Sequence, residues 1–122
     1  MRKGAALPLL ASLAAIRRRK TDISLPVIIT FLHVCESEGA SIKELAYLCG
    51  VSEATVSRAV TMLRWPPRRD SAQPHRALVH VSENPEDARR HMVFLTAEGY
   101  CLKDEIGSIL SAQGAAEGHR GD

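Results

Sequence analysis

The side chains best suited to reading another polar surface stand close together in SEATVSRAVT, residues 52–61. Ser52, Glu53, Thr55, Ser57, Arg58 and Thr61 are short hydrogen-bonding groups with a single long cation among them. Such a set can approach the floor of a DNA major groove without steric conflict and offers hydroxyl and guanidinium groups to base edges. Ser52, Glu53 and Thr55 fall at a helix N-terminus, where free backbone amides also suit a phosphate. A solvated polar face would have the same composition, so these residues alone leave both readings open. Catalytic chemistry has no comparable cluster. The sequence contains no H-E-x-x-H, no G-x-S-x-G and no phosphate loop, so no enzyme activity, cofactor or metal is expected. Asp104-Glu105 reads as a solvated stretch.

Those polar positions are what remains when Val56, Ala59, Val60 and Leu63 are assigned to the inner face of a helix running to about Arg64. The preceding stretch, SIKELAYLCG, repeats the pattern. Ser41 and Glu44 form a capping-box pair, Ile42, Leu45, Ala46 and Cys49 face inward, and Gly50 falls where a helix must end with positive φ. Ser52 then caps the next helix. A small residue at Ala46, a glycine four positions on and Val56 six further make a helix-turn-helix.

The flanks complete a framework. Residues 5–19 read as a helix apolar on most faces, through Leu7, Leu9, Leu10, Leu13 and Ile16. A helix without a polar face must be covered; a partner subunit is the natural lid, with packing on the chain's own core as the alternative. Its basic start and apolar stretch also resemble a signal peptide, but Arg17–Lys20 follow directly and oppose translocation. Ser24 is the expected N-cap of a second helix, with Pro26 just inside it. Trp65-Pro66-Pro67 stops the fourth helix, and a basic, proline-rich loop follows, with Arg68, Arg69 and Arg76. Residues 78–81 and 92–95 read as two strands, with a polar turn over 82–90 containing Asn84-Pro85. His80 and His91 could face each other across this hairpin, but no third metal ligand accompanies them. Thr96 is the expected N-cap of a last helix with an apolar stripe of Leu102, Ile106, Ile109 and Leu110; Gly99 and Gly107 weigh against its regularity.

This order is that of a mainly α domain with a small β-hairpin, a winged helix-turn-helix of about five helices and a two-stranded wing. In LVHVSENPEDARRHMVFLTAEG and SEATVSRAVTML the chain resembles the MarR family of bacterial transcription regulators. The matching residues are Asp87 and Arg89 at the wing tip, then Val93, Leu95, Thr96 and Gly99. The resemblance covers about residues 24–110. It implies a cytoplasmic protein at the bacterial nucleoid that regulates transcription, as a repressor, through a homodimer on a pseudo-palindrome. It also implies that Arg89 lies at a minor groove, with Asp87 orienting the wing. Ala88 departs from the family, which often carries another basic residue there; Arg90 stands on the strand side. The terminal helices are short, as in phage- or mobile-element-type members.

The resemblance divides the chain into an N-terminal dimerisation helix over 1–21, a DNA-binding domain over 22–96, a C-terminal dimerisation helix over 97–113 and a disordered tail over 114–122. Ser41, Lys43, Arg64, Arg68, Arg69 and Arg76 are the expected phosphate contacts. Basic charge is concentrated accordingly: residues 1–20 carry six cations and no acid, and 64–91 six arginines against four acids. Family members often bind small phenolic effectors or sense oxidants through a cysteine. Neither is supported here, because Cys35, Cys49 and Cys101 fall on or beside apolar faces, where a cysteine acts as a small core residue. Three separated cysteines do not make a disulfide framework, and no apolar run is long enough for a membrane span. A winged helix serving only as a protein-interaction module is the competing expectation.

Overall fold

The computed structural model describes residues 4–20, 23–64, 77–84 and 86–120, with side-chain surroundings given outside 83–84, 87–90 and 113–120. Five helices and a hairpin follow in the order α1 (Leu7–Arg19), α2 (Leu25–Glu36), α3 (Ile42–Cys49), α4 (Glu53–Arg64), β1 (Val79–Asn84), β2 (Asp87–Leu95) and α5 (Ala97–Arg120). Helices α2, α3 and α4 pack together, the hairpin closes one side, and α1 lies along α5.

Among the described residues the core is aliphatic with one fully buried aromatic anchor. Phe31 and Val34 of α2, Leu45 and Ala46 of α3, and Val56, Ala59, Val60 and Leu63 of α4 are all buried. Leu78, Val79, Val93, Leu95 and Leu102 extend this cluster under the hairpin and into α5. A two-stranded hairpin is marginal by itself, and these contacts are how it is held.

Local chemistry sets the helix boundaries. Ser41 Oγ accepts from the Glu44 amide at 3.1 Å, and the Glu44 carboxylate accepts from the Ser41 amide at 3.2 Å. Gly50, at φ 71°, ends α3 in the left-handed region, and its amide bonds back to Ala46 and Tyr47. Ser52 Oγ accepts from the Thr55 amide, and Thr96 Oγ1 from the Gly99 amide, as N-caps should. Ser24 occupies the N-cap position of α2 with Pro26 in the first turn, but its side chain makes no capping bond, so the proline's fixed φ carries that start. Ser41→Ala removes one half of a complete box. It should cost about 1 kcal/mol, visible as a lowered midpoint in thermal or urea unfolding.

The hairpin is longer than its apolar runs. The ladder pairs Val79 with Leu95, Val81 with Val93 and Glu83 with His91, then shifts register to pair Asn84 with Asp87. Most of the stretch expected as a turn is therefore strand, because a backbone ladder propagates without apolar side chains once its base is anchored. The two histidines do not oppose one another. His80 pairs with Phe94 and stacks on its ring at 5.5 Å, while His91 lies opposite Glu83. A further short extended segment joins the sheet edge: Gly39 donates to Val93 O, Val93 donates to Ala40 O, and Ser41 bridges Met92.

At the C-terminus α5 runs to Arg120, past the expected end near 113. Alanines at 112, 115 and 116 favour helix enough to carry it through the glycines at 114 and 118. Glu105 is not solvated as expected. It pairs with Arg18 and with Arg19, the latter at 2.9 Å, and Arg19 also reaches Glu98 at 3.2 Å. These pairs tie α1 to α5 across the whole sequence. No helix among the described residues is long and apolar enough to cross a membrane.

Candidate nucleic-acid interface

Helix α4 turns about 100° per residue, and its buried residues Val56, Ala59, Val60 and Leu63 define one side. The opposite side carries Ala54, Ser57, Arg58 and Thr61, at i, i+3, i+4 and i+7. All four are exposed. Among the described residues the Arg58 guanidinium makes no hydrogen bond or ion pair, so its donors are available. Ser57 is open as well, with its carbonyl oxygen accepting from Thr61 Oγ1 at 2.9 Å. Thr61 thus spends its hydroxyl hydrogen on its own helix and keeps only acceptor capacity and a methyl for a partner.

At the start of α4 Ser52 is the expected cap. Ser52 and Thr55 are committed to each other, with hydroxyls 3.0 Å apart and the Ser52 oxygen on the Thr55 amide. Their primary work is to fix the first turn, with Thr55 half-buried on a flank. Glu53 is exposed at the first helical position. Ala54, which has no polar atom, is also exposed. By angle it lies at the middle of the outward face.

The remaining expected contacts separate clearly. Lys43 and Arg64 are exposed at the start of α3 and the end of α4. Ser41 is 5% exposed, with its hydroxyl accepting from the Glu44 amide inside the capping box. Arg68, Arg69 and Arg76 lie outside the described residues. Asp87, Arg89 and Arg90 belong to β2. The register shift between Glu83 and Asn84 carries the backbone of 88–90 out of the regular ladder at the hairpin end.

No protein-family model and no curated protein sequence matches the chain. Its backbone superposes on MepR of S. aureus, solved as a DNA complex, with TM-score 0.69 and 17% identity over 93% of this chain and 83% of that one. It also superposes on the MarR family transcription regulator SP03579, with TM-score 0.61 and 21% identity over 94% and 72% of the two chains. The chain has the winged helix fold of the MarR-family regulators. PcaV of Streptomyces coelicolor, solved with its natural ligand, shares this MarR-type fold at TM-score 0.57 and 18% identity over 78% of this chain. The chain spans 60% of the length of PcaV.

Within this MarR-type fold one polar strut was not visible in the sequence. The Glu38 carboxylate, after α2, accepts from the Leu95 amide at 2.8 Å and from the Tyr100 hydroxyl. It therefore joins the α2–α3 connection to the base of the wing and the first turn of α5. The Tyr100 bond, then the Leu95 amide, hold the Glu38 carboxyl below the usual glutamate pKa, with Lys103 and His80 adding to the effect. The same bond raises the Tyr100 phenol. A depressed carboxylate pKa gives stability that is complete above the ordinary value of 4.5 and is lost as pH falls through the lower, folded value. The melting-temperature advantage of wild type over Glu38→Gln should hold at neutral pH and shrink on acidification below about 4.5; a pH series of melts reads this directly.

Burial pushes the Cys35 thiol up to about 11, so it stays protonated and weakly nucleophilic at neutral pH. Cys49 is half-buried near Thr30, and Cys101, expected on an apolar face, is exposed. No three His, Cys, Asp or Glu side chains among the described residues stand together as a metal site.

Proposed function

We propose that this protein is a MarR-family transcription regulator that binds double-stranded DNA sequence-specifically as a homodimer and acts as a repressor. The observation that carries the reading is the outward face of α4. It is polar and small, it is backed directly by a rigid core face, and it is open along its length. Inserted in a major groove, Arg58 and Ser57 reach base edges while Lys43 and Arg64 meet flanking phosphates. Arg89 and Arg90, at the wing end, suit the negative potential of an adjacent minor groove, with Asp87 beside them. MepR, a protein of the same fold, is solved as a DNA complex, which supports the DNA-binding reading.

The dimer is supported by unsatisfied apolar surface. Leu7, Leu9 and Leu10 of α1 are each more than 60% exposed, and Leu13, Leu32 and Leu110 continue the surface. An open apolar recess of about 310 Å³ lies between α1, α2 and α5, lined by Pro8, Leu9, Leu13, Leu32, Ile106 and Leu110. Contiguous apolar surface of this kind marks an interface. Two α4 helices related by a dyad would enter successive major grooves about 34 Å apart.

The test is selection of bound duplexes from a random pool, followed by affinity against salt. Enrichment of a two-fold symmetric sequence, with affinity falling steeply as salt rises, is expected because phosphate neutralisation releases counterions. Absence of any enriched duplex would overturn the reading. One observation favours a protein-interaction module instead: Tyr47, 86% exposed, stands with exposed Leu48 and Val51 beside the turn. Binding to a protein partner with no duplex affinity at low salt is the result that would select it.

A further inference from the structure

The outward face of α4 has a methyl group at its centre. Measured from the buried side, Ala54 lies about 10° from the diametrically opposite line, with Thr61 and Arg58 about 30° to either side and Ser57 about 70° away. Ala54 is exposed, with no polar atom to hydrate. Thr61, two turns on, has its hydroxyl hydrogen committed to the Ser57 carbonyl. The centre of the face therefore presents aliphatic carbon, the Ala54 methyl and the Thr61 methyl, with the Arg58 donors to one side. In the major groove one base alone projects aliphatic carbon, the 5-methyl of thymine, and a small apolar side chain is its complement.

We infer that Ala54 is a specificity-determining residue that packs on a thymine 5-methyl in each half-site, beside the base read by Arg58. The inference rests on the DNA-binding reading above. Arg58 lies four residues further along α4, about 6 Å along the axis, so the thymine and the Arg58-read base should fall within about two to three base pairs. Glu53 and Thr55 lie about 100° to either side of the line and make poor substitutes for this role.

The experiment replaces each thymine of the best selected duplex by deoxyuridine, one at a time, and titrates wild type and variants at fixed moderate salt. One thymine position per half-site should lose affinity about three- to fivefold in wild type, the scale of burying one methyl group. Ala54→Gly should bind the thymine and uracil duplexes equally at that position, at about the wild-type affinity for the uracil duplex. Gly at this position weakens helix, so Ala54→Ser serves as the second variant. It keeps the fold and should also reduce the thymine-to-uracil ratio. If no thymine is sensitive, or the sensitive one keeps its ratio in both variants, the inference is overturned while sequence-specific binding stands. If no duplex is enriched at all, the underlying reading fails and takes this inference with it.

Discussion

Arg58→Ala should weaken binding to the selected duplex by about 1–3 kcal/mol, roughly a 5- to 150-fold loss, and relax the preference for one base per half-site. The size follows from where Arg58 stands. Its guanidinium is exposed and has no partner among the described residues, so no internal ion pair must be broken before it meets a base. Ala54, Ser57 and Thr61 around it are short, so they do not hold the helix away from the groove floor. Arg58→Lys separates the two ways such a residue can act. A lysine keeps the charge but loses the planar fork that pairs with guanine O6 and N7. If lysine restores affinity while base preference is unchanged throughout, Arg58 touches phosphate. If lysine binds almost as poorly as alanine and the preference is lost, the contact is to a base edge. Unaltered affinity and preference in Arg58→Ala would remove α4 from the groove.

Gly99→Ala should cost about 2–3 kcal/mol of folding stability, the scale of forced overpacking, and lower the melting temperature by about 8–12 °C. A Cβ at Gly99 would lie 2.1 Å from the Leu78 carbonyl oxygen, closer than any real contact. That oxygen cannot simply swing aside. It accepts from the Thr96 amide at 3.1 Å, and the Leu78 amide donates to Leu63 O at 2.8 Å. Leu78 is thus the point where the end of α4, the entry to β1 and the start of α5 meet, and moving it disturbs all three. Gly107, on the same helix, makes the control. A Cβ there meets nothing within 4 Å, so Gly107→Ala should raise stability by up to about 1 kcal/mol through helix propensity alone. Two identical substitutions eight positions apart should therefore have opposite signs in the same melting assay. A melting point for Gly99→Ala within about 2 °C of wild type would mean that α5 does not approach Leu78 as described.

The glycines also show what a sequence can and cannot carry. Both read simply as marks against a regular helix, since the difference between them lies in what approaches from elsewhere in the chain. Gly50 was legible because its signal is local: a helix ends, φ turns positive, and Ser52 restarts the backbone two residues later. The capping box and the inner face of α4 were legible for the same reason. Features built from distant segments were not. The Arg18, Arg19 and Glu105 pairs join residues more than eighty positions apart, and Glu38 meets Leu95 and Tyr100 across most of the domain. Strand length was underestimated because the outer ladder is polar, and alternation of apolar residues marks only its anchored base. Ala54 carries no polar atom, so its place at the centre of the outward face shows only once the buried side of α4 is fixed.

The most direct measurement of α4 in the major groove is guanine N7 methylation interference on the selected duplex. Methylation at N7 blocks the major-groove edge without touching the minor groove. Interference is expected at guanines in two clusters about one helical turn apart, and in Arg58→Ala the affected guanine of each cluster should become tolerant. Binding that ignores N7 methylation throughout, while remaining sensitive to adenine N3 methylation in the minor groove, would contradict the placement of α4.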